Sequence, residues 1–384
     1  MSSEDILVPV DLLKDFVTRI FIKAGVPPED AEVEADVLCW ANLHGVDSHG
    51  VHMVPWYLEN IETGVMNPRP EIRVEKETAA TVLIEADRAL GPVVTVFAMN
   101  KVIDKATEVG IGWGLIRNTT HQGAIGYYSR LASERGMAGI TFVCNPPNMA
   151  PWGARVAGIH NSPLAISVPA EQHQPIILDM ATSVVAGGKI ALAVDKKTTI
   201  PLGWALDADG NPTTDPLQAA VLLPAGGPKG SGLALLMECL SSVLADNPLL
   251  EPVLLGRESE SEAFSKKERE LSNRPVFMRR HIQNSVVIAL NIDNFTDVQR
   301  YKEHIDHLID GVKSLPKAEG VDEIMVPGEP EQRTARRRAR LGIPIAQGTV
   351  SNLKAVADKL EVELPVGLLT SDSRRKSPTA GSAD

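Results

Sequence analysis

Gly112-Trp113-Gly114-Leu115-Ile116-Arg117-Asn118-Thr119-Thr120-His121-Gln122-Gly123-Ala124-Ile125-Gly126 is the stretch on which the fold turns. Its apolar part, Gly114-Leu115-Ile116, reads as a strand, and about Gly123 to Arg135 reads as the helix that follows. Strand, glycines and helix in that order invite a doubly wound dinucleotide fold, whose Gly-x-Gly-x-x-Gly turn brings a pyrophosphate to a helix N-terminus. Gly112-Trp113-Gly114 lacks the third glycine. A Rossmann domain is therefore disfavoured. What the stretch does offer is His121, on a loop beside small residues that let a ligand approach the backbone.

Outward from there the chain alternates. Thr81–Ile84 reads as a strand and Val93–Val109 as a helix. Strands follow at Gly139–Cys144, Leu164–Pro169 and Ile176–Asp179. Such alternation predicts a sheet domain of α/β or α+β type. Before Pro68-Arg69-Pro70 the pattern is helical. Leu12, Leu13, Phe16, Val17, Ile20 and Phe21 recur at helical spacing and stop at Gly25. Pro27-Pro28 open a second helix through Trp40, and a short one carries Val54, Tyr57, Leu58 and Ile61 to Gly64. Later, Ser231–Leu244 is an apolar helix, Ser285–Leu290 a buried strand, Val298–Val312 a helix and Arg333–Arg340 a basic helix. Arg257–Arg280 reads as a charged, exposed excursion and Ser371–Asp384 as a disordered tail.

Composition narrows the class. The chain has 384 residues, 43% hydrophobic and 23% charged, enough for two domains with a substantial core. Its net charge of −11 argues against general attraction to nucleic acid or anionic membranes. The N-terminus lacks a secretory pattern, and no run approaches the roughly 18 apolar residues of a membrane span. Cys39, Cys144 and Cys239 sit in apolar runs, which predicts buried thiols and a cytoplasmic protein.

Three motifs carry candidate chemistry. Asp47-Ser48-His49-Gly50-Val51 puts an imidazole in a turn between helices, where it can titrate near neutral pH and hold a ligand, or simply cap the turn. His44 and His52 invite a metal reading with His49, which would suit a hydrolase. No neighbouring cysteine or glutamate completes a zinc set, so no metal is assigned. His121 is either a surface loop residue or an acid–base able to take a hydroxyl proton and return it. Pro224-Ala225-Gly226-Gly227-Pro228-Lys229-Gly230 is not a Walker loop. Free backbone N–H groups and Lys229 there could cradle an anion, or the lysine could be solvated. Asp207-x-Asp209-Gly210-Asn211 reads as a tight turn, since Gln218 stands where a calcium loop needs glutamate. Arg336-Arg337-Arg338 reads as a solvated face that could rim a site.

Taken in order, these motifs resemble the malate/L-lactate dehydrogenase family, which includes ureidoglycolate and sulfolactate dehydrogenases, diketogulonate reductase and ketimine reductases. Asp179-Met180-Ala181-Thr182, Trp204-Ala205-Leu206-Asp207, Thr214-Asp215-Pro216 and Gly342-Ile343-Pro344 add to the match, which runs from about Val8 to Ile345. The resemblance implies an α+β fold with a non-Rossmann cofactor domain on a mixed, largely antiparallel sheet, plus a mainly helical domain formed by both chain ends. The expected division is 1–75 helical, 76–224 cofactor-binding, 225–370 returning to the helical domain and 371–384 as tail. It implies hydride transfer between a nicotinamide cofactor, NAD before NADP, and a 2-hydroxy or 2-oxo acid. His121 would be the acid–base. Ser48, His49, Met53 and Tyr57 would meet the substrate. Asn145, Asp179, Met180, Ala181, Lys229 and Gly230 would meet the cofactor. A homodimer is implied, with the apolar N-terminal helices suited to its packing.

The chain departs from that family where substrate is recognised. Four residues past His49, where the family carries arginine, stands Met53; Tyr57 is kept. Arginine is the strongest bidentate carboxylate binder, so its loss changes the substrate problem. Ser162 replaces an asparagine, Asn145 stands where a serine or threonine is common, and Arg279, Arg280 and His281 are candidates for a substrate arginine. These changes leave a cyclic 2-imino acid reductase as the nearest alternative.

Overall fold

Chain contacts divide the molecule into two compact units, residues 1–62 with 331–384 and residues 63–330. The computed structural model describes residues 5–195, 197–256, 282–365 and 368. Its strands are β1 (Ile6–Val8), β2 (Arg73–Glu77), β3 (Thr81–Glu85), β4 (Ile111–Thr119), β5 (Met137–Cys144), β6 (Leu164–Val168), β7 (Ile176–Met180), β8 (Ala205–Leu206), β9 (Val221–Leu222), β10 (Gln283–Asn291) and β11 (Ile343–Ile345). The helices up to the glycine-rich turn are α1 (Val10–Lys23), α2 (Pro28–Leu43), α3 (Val54–Glu62), α4 (Gly91–Val109), α5 (Gly126–Ser133), α6 (Gly187–Asp195) and α7 (Pro228–Glu238). Later helices span Val298–Lys313, Glu329–Leu341 and Gln347–Leu360.

The unit built from both chain ends is helical except where β1 pairs antiparallel with β11, matching Ile6 to Ile345 and Val8 to Ile343. α1 buries Leu13, Phe16, Val17, Ile20 and Phe21, one face at helical period. α2 can begin at Pro28 because the first turn needs no N–H from it and the ring presets φ.

The other unit is organised by a seven-stranded sheet in the order β2-β3-β4-β10-β5-β6-β7. β3 and β4 are parallel and every other neighbouring pair is antiparallel, so the fold is α+β on a large mixed sheet. The glycines of β4 serve packing. A Cβ on Gly112 would lie 2.1 Å from the Val102 carbonyl oxygen, and one on Gly114 2.9 Å from the Val102 side chain. They let α4 settle onto the strand, which accounts for a Gly-x-Gly pair without a phosphate turn.

The division differs from the sequence expectation at both boundaries. Residues 225–370 were expected with the helical ends, but β10 pairs on one side with β4 (Ser285 with Ile116) and on the other with β5 (Ser285 with Val143). Those ladders keep the chain in the sheet unit as far as 330. The first boundary follows Glu62, next to the left-handed Gly64 that ends α3, and not residue 75. Arg257–Arg280, Arg279 to His281 and Ser371–Asp384 lie outside the described residues.

Cys39 and Cys144 are buried, and burial pushes both thiols up to about 12. Cys239 is exposed, contrary to expectation. It opens a π-helical continuation of α7 that also exposes Leu240 and Val243. Among the described residues no helix is long and apolar enough to cross a membrane.

Candidate active site

In the sheet unit, strand direction gathers the candidate residues. β4 and β5 both run antiparallel to β10, and β5 and β7 both run antiparallel to β6. The C-terminal ends of β4, β5 and β7 therefore share one edge of the sheet. His121 follows β4 by two residues, Asn145 follows β5 directly, and Asp179, Met180 and Ala181 close β7.

The His121 loop is tightly held. Asn118, with φ +55°, turns the chain; its N–H donates to Asn284 Oδ1 at 3.1 Å. Thr120 Oγ1 donates to the Ala89 carbonyl at 2.8 Å. Gln122 Nε2 donates to Thr95 Oγ1 and Ser285 Oγ, both at 2.8 Å, while the Tyr128 hydroxyl donates to the Gln122 carbonyl. Gly91 is required beneath it: a Cβ there would lie 2.3 Å from the His121 carbonyl oxygen. The ring is half-buried, and the Gly123 N–H points at Nδ1 from 3.3 Å. With the Gly123 N–H directed at Nδ1, the neutral ring carries its proton on Nε2.

Asp179 and the glycine-rich turn meet the same edge. Asp179 Oδ2 accepts the Gly126 N–H at 2.7 Å, placing a carboxylate on the N-terminus of α5, directly after the His121 loop. Ala225 N–H donates to the Thr182 carbonyl at 2.9 Å, and a Cβ on Gly230 would lie 2.4 Å from that oxygen. The Lys229 turn thus rests on the residue after Ala181. Its backbone is not the open cradle expected from sequence. The N–H groups of Gly227, Lys229, Gly230 and Ser231 donate to Pro224, Gly226, Ala225 and Gly227 carbonyls. Positive φ at Gly226 and Gly227 lets the turn close on itself. What remains for an anion is the exposed Lys229 ammonium, which has no partner among the described residues.

In the helical unit, Asp47–His49 form a single 3-10 turn. Ser48 is exposed and its Oγ meets His49 Nδ1 at 2.9 Å. Burial first, and His52 second, lower His49 from 6.5 to about 4. The expectation that it titrates near neutral pH is overturned: His49 is a neutral hydrogen-bonding group. His52 Nε2 meets the Ser48 carbonyl at 2.8 Å. His44 Nδ1 meets the Trp40 carbonyl at 2.8 Å, with the ring stacked 4.1 Å from Trp40. Among the described residues no group of three His, Cys, Asp or Glu side chains is placed to hold a metal ion. Met53 is 8% exposed and Tyr57 fully buried, edge-on to Phe21 at 6.3 Å and to Trp56 at 5.2 Å.

Two residues of this unit escaped the sequence reading. Glu34 is wholly buried on α2, neither carboxyl oxygen has a hydrogen-bond partner among the described residues, and burial raises its pKa well above 4.5. Burial also raises the Tyr57 phenol, with Glu34 adding to it. The signal was present, because Ala31, Glu34, Ala35 and Leu38 share one helical face. Arg338 is not part of a solvated face but grips Asp47, 291 residues earlier, and no local signal announces it.

Comparison with known proteins places this arrangement. The malate/L-lactate dehydrogenase family model matches residues 8–354. The chain is 37% identical over 353 residues to L-sulfolactate dehydrogenase of Methanocaldococcus jannaschii, covering 91% of this chain and 96% of that protein. The solved structure of the enzyme superimposes with a TM-score of 0.80 over 94% of this chain and 98% of the other. Ureidoglycolate dehydrogenase (NAD(+)) of Escherichia coli is 31% identical, covering 87% and 91%. The structure of delta1-piperideine-2-carboxylate reductase from Pseudomonas syringae aligns with a TM-score of 0.77 at 27% identity, covering 91% and 99%. A likeness spanning both units at these identities leaves one assignment: the chain belongs to the malate/L-lactate dehydrogenase family and is an oxidoreductase acting on a CH–OH group.

Proposed function

We propose that the chain is an NAD(P)-dependent dehydrogenase interconverting a 2-hydroxy acid and its 2-oxo acid, with NAD the preferred carrier. The observation that carries this reading is the gathering of His121, Asn145, Asp179–Ala181 and the Lys229 turn at one edge of a non-Rossmann sheet. The Lys229 ammonium, without a partner among the described residues, fits a phosphate or ribose, with Gly230 beside it in the turn; Asn145 and Asp179–Ala181 would line the nicotinamide side. A bound nicotinamide supplies the hydride acceptor or donor. The His121 imidazole takes the hydroxyl proton during oxidation, and the imidazolium returns it to the carbonyl oxygen during reduction. Ser48 and His49 hold the substrate by neutral hydrogen bonds, and the buried Met53 and Tyr57 complete the substrate side. The relative named ureidoglycolate dehydrogenase (NAD(+)) supports the choice of NAD.

Met53 in place of arginine favours one second reading, reduction of a cyclic 2-imino acid at the same cofactor site. The reductase among the structural neighbours supports it. A spectrophotometric screen of NADH and NADPH oxidation against 2-oxo acids and cyclic imines separates the two. Turnover with 2-oxo acids carries the first, turnover with imines alone the second, and no turnover with either class defeats both.

We further propose a cytoplasmic homodimer that binds neither nucleic acid nor membrane, in keeping with the net charge of −11. On α1, Leu12 and Ile22 are the large apolar side chains left exposed. α7 and its continuation expose Leu233, Leu235, Leu236, Leu240, Val243 and Leu244, a patch of the kind that a second copy covers. An active monomer in sedimentation would refute the dimer.

A further inference from the structure

Arg336 and Arg337 are exposed, as a basic surface helix requires, but the side chain of Arg338 is only 11% exposed. Its Nη1 and Nη2 donate to the two Asp47 carboxylate oxygens at 2.6 and 2.9 Å, a bidentate fork. Nη1 also donates to the Asn42 carbonyl oxygen. Asn42 continues the tie. Its Nδ2 donates to Asp47 Oδ1 at 2.7 Å, and its Oδ1 accepts the Val51 N–H at 2.7 Å. Both flanks of Ser48-His49-Gly50, Asp47 before and Val51 after, are thus fastened to one amide. One guanidinium joins Asp47 to the main-chain carbonyl of Asn42. The fit is close, since a Cβ on Gly50 would lie 2.2 Å from Asn42 Oδ1.

We propose that Arg338 is a positioning residue that sets the orientation of His49 through the Asp47–Asn42 tie. The inference rests on the reading of His49 as a substrate-holding group. Locally the turn has His49 N–H to Val46 at 3.0 Å, Gly50 N–H to Asp47 at 3.1 Å, Ser48 Oγ to His49 Nδ1 at 2.9 Å and His52 Nε2 to the Ser48 carbonyl at 2.8 Å, all made within the segment that the tie must orient. A planar guanidinium meeting both carboxylate oxygens fixes an angle as well as a distance, whereas an ammonium fixes a distance alone. Asp47 stands two residues from the imidazole, so a rotation there is carried to the ring. Displacing a substrate-binding group by about 1 Å costs up to about 10²-fold. An ordinary surface bridge would instead alter stability slightly and leave substrate affinity alone.

The test combines kinetics of Arg338→Ala and Arg338→Lys with NMR titration of His49, its resonance assigned through His49→Gln. In folded Arg338→Ala the His49 pKa should climb from about 4 toward an ordinary imidazole as the ring regains water. KM should rise about tenfold with kcat nearly unchanged. Millimolar guanidinium should restore KM, and Arg338→Lys should restore it only partly. A His49 titration and KM that both stay at wild-type values overturn the proposal, as does full recovery with lysine. A moved titration with unmoved KM upholds the tie and removes His49 from substrate binding. Should Arg338→Ala not fold, Asp47→Asn keeps the shape of the tie without its charge and carries the same expectation at smaller size.

Discussion

The His121 loop is held mainly by uncharged groups buried against the sheet, whereas the His49 turn is tied to an ion pair whose carboxylate is half exposed. Gln122, Thr95, Ser285, Asn118 and Asn284 bear no charge, and the ionic support behind them is the Glu85 carboxylate, which accepts from Asn118 Nδ2 at 2.9 Å and pairs with Arg117. The Arg338–Asp47 fork is open to screening on its acidic side. The contrast suits the two tasks proposed for these histidines. A proton-transfer group needs one fixed geometry, while a substrate-holding group tolerates a support that yields.

The largest effect that would sharpen this comparison is on turnover. His121→Ala should fold, bind nicotinamide nucleotide and lose about 10²–10⁴-fold in kcat, because the proton then has no acceptor in place. Retained turnover would move the acid–base elsewhere. Next comes affinity. Lys229→Ala should weaken nucleotide binding by roughly 1.5–3 kcal/mol, the worth of a charge-assisted contact, as read by calorimetric or fluorescence titration. Unchanged affinity in the folded variant would remove Lys229 from the site.

The smallest effect concerns stability in the helical unit. Glu34 binds its proton more tightly in the folded than in the unfolded chain, since burial raises its pKa above 4.5. The stability this gives is complete below the unfolded value and is lost as pH rises through the raised folded value. Glu34→Met, close in shape and apolar, should therefore flatten the decline and raise stability at neutral pH by on the order of 1–3 kcal/mol. Thermal unfolding at acid and neutral pH measures it. Equal destabilisation at both would mean the carboxyl has a partner or a task that the folded chain needs.

Local periodicity made much of the fold legible. The face of α1, the proline start of α2, and β4, β5, β6, β7 and β10 all declare themselves by apolar spacing or short apolar runs. The charged β2, Arg-Val-Glu-Lys-Glu at the sheet edge, escaped because an exposed strand need not alternate. The place of β10 between β4 and β5 also escaped, since pairing across well over a hundred residues leaves no local mark. The same holds for Arg338 and Asp47. At the site, motif order pointed to His121 and Lys229. The Lys229 turn misled because glycines that could expose N–H groups instead let the backbone close on its own carbonyls.

The division of labour between the two histidines is the central claim, and the pH dependence of kcat/KM in both directions tests it most directly. In the wild type, oxidation should fall on the acid side, where a protonated His121 cannot accept, and reduction should fall on the alkaline side, where it cannot donate. His49, lowered to about 4, contributes no limb near neutral pH. His49→Ala should therefore keep both limbs and raise KM more than it lowers kcat, while in His121→Ala both limbs should vanish with the activity. Limbs that survive in an active His121→Ala and disappear in His49→Ala would contradict the assignment outright.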